Sequence, residues 1–307
     1  MKNILLTTNQ MAEFTAKGYL FLEGIIESEI NNEFINNINK LNEDLSFNIE
    51  DHIKKIKTKN IIPFVKPQTP LFSAYPKNTP LSKIFNNKFV AGAITSLVGS
   101  NCIIDHHFLH MVLPYKNLKK KERFSQPYHQ DSTIDPRMTF DIQVFYFPTE
   151  ITREMGGTRY IPGSQYRVIS EFAISRYQNI LGQKRVVCPE GTIGIFHQNL
   201  WHGGGINYSN QIRNMFKVRI SATEKQELLF CYDKINKPHN FRSIFWNNDE
   251  EKQSYLLEDI LTQPEPWFET DTCRLEYINR IKMWRYLTGD KNFDADYWMT
   301  RIENELK

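Results

Sequence analysis

CIIDHHFLHMVLPY (residues 102–115), TFDIQVFYFP (139–148), TIGIFHQ (192–198) and RNMFKVRIS (213–221) are short runs in which β-branched and aromatic residues dominate. Such runs read as strands. Between them lie two further strand-like stretches, GGTRYIPG (156–163) and KRVVCPEG (184–191), and turns fall at Pro148, Pro162-Gly163, Pro189-Glu190-Gly191 and glycines 203–205. A series of short strands with no helix between most of them predicts an antiparallel sandwich or barrel.

On both sides of this β region the pattern turns helical. Ile30, Phe34, Ile35, Ile38 and Leu41 share one helical face, with Ser28 suited to cap its start. A second helix is expected from Leu81 to Val98, stopping at Gly99, and residues 50–80, rich in Lys, Asn, Pro and Thr, read as surface chain. Beyond residue 222, Tyr255, Leu256, Asp259 and Ile260 mark one helix and Leu275, Ile278, Ile281 and Trp284 another. Trp246, Trp267, Trp284 and Trp298 make this segment the place for substrate-covering or oligomer-forming helices. Because helical parts flank the β region, the 307 residues read as one domain.

With 40% hydrophobic and 13% aromatic residues the chain can bury a sizeable core, which excludes a disordered protein. Its net charge of +3 is too small to predict nucleic-acid binding. The excess of basic residues lies before Thr223, partly in Lys54, Lys55, Lys57 and Lys59 and partly in Lys116, Lys119, Lys120, Lys121 and Arg123. Both runs read as solvated faces; the second, lying between a strand and the segment described next, could also form a lid that attracts an anionic substrate. Cys102, Cys188, Cys231 and Cys273 form no CxxC pair and no zinc spacing, as expected of reduced thiols in a cytoplasmic protein. No stretch approaches 18 apolar residues and the N-terminal apolar run is only three residues long, so neither a membrane span nor a signal peptide is expected.

The chemistry concentrates in Gln126-Pro127-Tyr128-His129-Gln130-Asp131. In extended backbone, side chains two residues apart point to the same face, so His129 and Asp131 can reach one ion together. An HxD pair alone is a weak signal. A second segment, Trp201-His202-Gly203-Gly204-Gly205-Ile206-Asn207, strengthens it, since antiparallel pairing can bring a distant His beside the first pair. Two imidazoles and one carboxylate with open positions opposite are the facial set of non-haem Fe(II) oxygenases. Arg213 would then neutralise the far carboxylate of a dicarboxylate cosubstrate chelated at the metal. Alone it would read as an outward-facing strand residue. His197 lacks the following glycines and the spaced Arg, and His106, His107 and His110 alternate along one strand, so they read as core or pocket histidines.

The ordered set His129-Gln130-Asp131, GGTRYIPGS (156–164) and WHGGGIN (201–207) with Arg213 resembles the phytanoyl-CoA dioxygenase family of Fe(II)- and 2-oxoglutarate-dependent oxygenases. FTAKGYLFLEG (14–24) is similar to that family's opening segment, and the resemblance covers residues 10 to 222. It implies a double-stranded β-helix, or cupin-like jelly roll, with flanking helices; with the helical patterns described above, the expected fold is mainly β, with the jelly roll at 101–222, a mostly helical part at 1–100 and a helical extension at 223–307. It implies His129, Asp131 and His202 as iron ligands and Arg213 as the partner of 2-oxoglutarate. Gln126, Thr158 and Met111 match positions around the cosubstrate in family members. Tyr128, Phe147 and Trp201 adjoin the motifs and are expected either to line the substrate cavity or to be barrel core.

The implied reaction is oxidation, hydroxylation above all, of an unactivated C–H of a small-molecule metabolite. It uses Fe(II), 2-oxoglutarate and O2, and yields succinate and carbon dioxide. Gln165 stands where the family's PGSH segment has His, a position outside the ligand set. The presence of Asp131 argues against halogenation, which needs a small residue there. The competing readings are a zinc-dependent hydrolase or isomerase on the same three residues, which gives Arg213 no task, and a non-catalytic cupin-like binding protein. A small-molecule substrate is expected, with no nucleic-acid or membrane partner; a homo-oligomer is compatible with the sequence.

Overall fold

The computed structural model describes residues 2–39, 54–55, 61–118, 120, 123–132, 135, 137–167, 169–176, 179–233, 257–268 and 273–293. Nine strands and seven helices of the described chain occur in the order α1 (Thr8–Lys17), β1 (Tyr19–Leu22), α2 (Ser28–Asn39), β2 (Thr69–Pro70), α3 (Pro80–Phe85), α4 (Lys88–Val98), β3 (Ile103–Val112), β4 (Ile142–Phe147), β5 (Arg159–Tyr160), α5 (Glu171–Ser175), β6 (Lys184–Arg185), β7 (Thr192–His197), β8 (His202–Gly203), β9 (Arg213–Ser221), α6 (Leu257–Thr262) and α7 (Cys273–Thr288). The strands form a six-stranded antiparallel sheet, β1-β7-β4-β9-β3-β2, and a three-stranded one, β6-β5-β8. The larger sheet curls into a half-barrel with helices against its outer face, so the mainly β, jelly-roll expectation is met.

Alternation along the strands decides which side chains see the interior. In β9, Phe216, Val218 and Ile220 join Val144, Tyr146, Ile193 and Ile195 in the main core, packed against Phe34, Ile38, Phe85 and Leu97 of the helices. Arg213, Met215, Lys217 and Arg219 therefore face the other way, into the barrel. There Phe145, Phe147, Phe196 and Tyr160 form a second cluster, against which Met215, Tyr19 and Phe21 pack. Both faces of β4 and β7 are buried, which is why these strands read as nearly unbroken apolar runs.

Local chemistry fixes the helix ends. The Thr7 and Gln10 side chains and backbones cap α1 reciprocally, and Gly18 closes it at φ 78°. The single helix expected over 81–98 is two, because the Asn87 side chain accepts from the N–H groups of Phe89 and Val90 and starts a new helix there. Ser28 is not a cap. It lies inside the first turn of α2, and its hydroxyl donates to Glu190 at 2.5 Å. In the C-terminal part Trp284, fully buried on α7, belongs to the main core, and Trp267 lies 5.9 Å from Trp201. Trp246 and Trp298 lie outside the described residues. No helix among the described residues is long and apolar enough to cross a membrane.

Phe216 is the residue on which sheet and helices meet, its ring lying 6.2–6.3 Å from Phe34, Tyr75 and Phe85. Phe216→Ala is expected to lower the unfolding free energy by about 3–5 kcal/mol, read from denaturant titration.

Candidate metal centre

His129 and His202 sit directly opposite each other in an antiparallel bridge: His129 N–H donates to His202 O at 3.0 Å and His202 N–H to His129 O at 3.1 Å. Residues that exchange both hydrogen bonds project to the same face, and the two imidazole centroids lie 4.4 Å apart. Asp131, two residues on, joins them. Its backbone N–H donates to Gln198 O at 3.2 Å, and its carboxylate oxygens lie 3.5 Å from His129 Nε2 and 3.4 Å from His202 Nε2. One ligand atom from each residue falls within 4.8 Å of the others.

The outward nitrogens of both rings are tied down. His129 Nδ1 lies 3.0 Å from Pro127 O and His202 Nδ1 2.9 Å from Leu200 O. A ring that donates Nδ1–H to a carbonyl carries its lone pair on Nε2, the atom turned toward the other two residues. Burial, aided by the neighbouring His202, lowers the pKa of His129 to about 4, so the ring is neutral at pH 7. Two imidazole nitrogens and a carboxylate oxygen suit a divalent transition metal that keeps open positions.

Asp131 is held from the barrel floor by two residues whose importance the motifs do not announce. Lys217 Nζ donates to Oδ2 at 2.8 Å, and Gln143 Nε2 donates to the same oxygen. Burial by itself would raise the carboxyl's pKa, but His202 and Lys217 outweigh it and hold the group well below the usual carboxylate range. The ammonium of Lys217 lies near the rings of Phe108 and Phe145, 5.6 and 5.8 Å from their centroids. The signal for both residues was present in the sequence: an amide inside the apolar run of β4, and a lysine in phase with Arg213 on β9.

Arg213 opens β9 and is buried. Its Nη1 donates to Met155 O at 2.9 Å, to Gly156 O, and to Gly205 O at 3.4 Å. Burial and the charge of Arg185 lower its pKa to about 10. Among the described residues no carboxylate pairs with it. The loops that clamp it touch backbone to backbone. A Cβ on Gly156, whose φ is +63°, would lie 1.8 Å from Ile206 O, and one on Gly205 would lie 2.6 Å from Gly156 O, so only glycine fits at either place.

Of the other expected site residues, Gln126 reaches the same corner: its Oε1 accepts from Gly204 N–H at 3.0 Å, and a Cβ on Gly204 would sit 3.4 Å from that oxygen and 3.7 Å from Arg213 Nη2. Thr158 is buried with its hydroxyl 4.0 Å from Met215 Sδ, on the barrel side. Met111 is a correction. It pairs with Asn214 and packs against the main core, on the helix side of β3. Of the two alternatives for Tyr128 and Trp201, the core one describes them: as neighbours of the two histidines they point away from them, into a cluster with Ile161 and Ile174 behind the smaller sheet. There Tyr128 OH donates to Gln183 at 2.5 Å and Trp201 Nε1 to Arg167 O at 3.1 Å. Phe147 belongs to the buried barrel interior.

His197 is a core residue, stacked on Phe140 with Nδ1 accepting from Asn199 N–H at 3.0 Å. His107 Nδ1 meets Tyr75 OH at 2.8 Å. In the basic run, Lys116 donates to Asn210 at 2.9 Å and Arg123 to Leu118 O at 3.0 Å; Lys119 and Lys121 lie outside the described residues.

Fold and site together define a double-stranded β-helix protein with a two-histidine, one-carboxylate metal site. The family model described as phytanoyl-CoA dioxygenase (PhyH) matches residues 14–215, and the chain belongs to that family. Among solved structures it is similar to HygX from Streptomyces hygroscopicus with nickel and 2-oxoglutarate bound, at 14% identity over 71% of this chain and 88% of that one, with a TM-score of 0.50. It is also similar to SnoK, a non-haem alpha-ketoglutarate-dependent carbocyclase from nogalamycin biosynthesis, at 16% identity over 71% and 84% of the two chains and a TM-score of 0.48. Against EvdMO1, at 14% identity and a TM-score of 0.48, 70% of this chain spans half the length of the other. No curated protein matches the sequence.

Outer residues that orient a ligand typically change metal affinity by about 10–100-fold when removed. Gln143→Leu is expected to weaken Mn(II) binding within that range in calorimetry, while the melting temperature stays close to that of the unsubstituted protein.

Proposed function

We propose that the protein is an Fe(II)- and 2-oxoglutarate-dependent oxygenase that hydroxylates an unactivated C–H bond of a small-molecule metabolite. The observation that carries this reading is the pairing of the His129, Asp131 and His202 cluster with a buried guanidinium that no described carboxylate neutralises. Bound iron would supply activation of dioxygen, coupled to oxidative decarboxylation of 2-oxoglutarate to succinate and carbon dioxide.

The chain's own groups do the holding and orienting. His129 and His202 present Nε2, and their Nδ1 contacts to backbone carbonyls keep the rings from turning. Lys217 and Gln143 hold Asp131 in aim, and His202 with Lys217 keeps it ionised. Arg213, with Nη1 already clamped by three carbonyls, offers its remaining N–H groups to the distal carboxylate of the cosubstrate. Gln126 and Thr158 flank that carboxylate's path. Phe145 and Phe196, with ring centroids 6.3 and 6.4 Å from that of His202, wall the site with apolar surface and exclude water from it. The metal and oxoacid bound in HygX are the ligands this donor set suits.

Under anaerobic conditions, Fe(II) with 2-oxoglutarate is expected to give a weak visible charge-transfer band that His202→Ala lacks. Arg213→Leu should raise the 2-oxoglutarate concentration needed for succinate release by about 10–100-fold, the worth of a hydrogen-bonded charge, with metal affinity unchanged. Turnover sustained by zinc alone, with no band, would remove the oxygenase reading.

A further inference from the structure

β3 carries a histidine that the reading above leaves without a task. His110 lies opposite Met215, between the pair Val112/Arg213 and the pair Phe108/Lys217. Cross-strand partners share a face, so its ring projects into the barrel from the pleat midway between the guanidinium of Arg213 and the ammonium that holds Asp131. The ring packs edge-on against Phe108 at 4.5 Å, and the Nε2 atom is buried with no hydrogen-bond partner among the described residues. His110 is not one of the clustered ligand residues. A buried, unpaired ring nitrogen is costly and calls for an explanation.

We infer that His110 is a cosubstrate-binding residue whose Nε2–H donates to a carboxylate oxygen of the 2-oxo acid as it spans from Arg213 to the metal. The inference rests on the 2-oxoglutarate reading and adds a contact to it. A dicarboxylate gripped at one end by Arg213 and at the other by the triad must cross the pleat that His110 and Met215 occupy. Met215 offers only a thioether, and its sulfur already meets the Thr158 hydroxyl at 4.0 Å. On β3 the imidazole is the hydrogen-bonding group of that stretch, beside the Thr158 hydroxyl from across the barrel. Burial first, then the charges of Lys217, Arg213 and His202, lower its pKa to about 4. The ring is therefore neutral at pH 7 and carries one N–H, enough for one carboxylate oxygen.

The test is anaerobic calorimetry on the Mn(II)-loaded full chain, titrated with 2-oxoglutarate. His110→Phe should weaken 2-oxoglutarate binding about 10–100-fold, His110→Gln should recover part of the loss, and Mn(II) affinity should be the same in all three proteins. Wild-type affinity in a folded His110→Phe variant overturns the inference and leaves the oxygenase reading standing. Failure of the unsubstituted protein to bind 2-oxoglutarate overturns both. A second readout needs no substitution. In long-range proton–nitrogen spectra of the zinc-loaded protein, 2-oxoglutarate should shift the His110 Nε2 resonance to a protonated, hydrogen-bonded position; an unmoved resonance counts against the inference.

Discussion

The two reciprocal hydrogen bonds between the backbones of His129 and His202 are the constraint on which the site depends. They bring together residues 73 positions apart in the chain, and they do so in the one register that turns both rings to the same side. A metal site built this way draws its geometry from sheet pairing. The ladder that holds β8 beside β5 pairs His202 with Tyr160 and so fixes that ligand's strand from its other side.

Charge is distributed with equal economy. Asp131 has a lysine on one oxygen, and Arg213 has backbone carbonyls but no described carboxylate around it. The first arrangement keeps a ligand ionised in a place where burial favours the neutral acid. The second leaves a cation available to a ligand. The interior-facing residues of β9 are thus divided between orienting the metal ligand and receiving an anion, with apolar Met215 between them.

Much of this was legible in the sequence, because the strand texture and the ordered motifs are local features. Alternation also sorted the β3 histidines correctly into His106 with His110 and His107 with Met111. It did not say which group faces the barrel, since both carry imidazole and apolar neighbours, and Met111 fell on the helix side. The choice between cavity and core for Tyr128 and Trp201 follows from alternation: on extended chain, the residue next to an inward ligand points outward. Lys217 and Gln143 stand out in the sequence only as polar residues within apolar strands, because their role depends on which strands become neighbours. Pairing of β4 with β9, and the return of residues 129–131 over them, is a property of the fold. The Asn86-Asn87 break is a local signal within an otherwise continuous apolar pattern.

The alternation of β9 also bears on how such a chain can change over evolutionary time. Inserting or deleting one residue within 213–221 would turn the side chains on one side of the change to the opposite face, driving either Arg213 or Lys217 under the helices and bringing apolar core residues of that part into the cavity. New specificities would then arise by point replacement on this strand and by length variation in its connections, with its own residue count fixed.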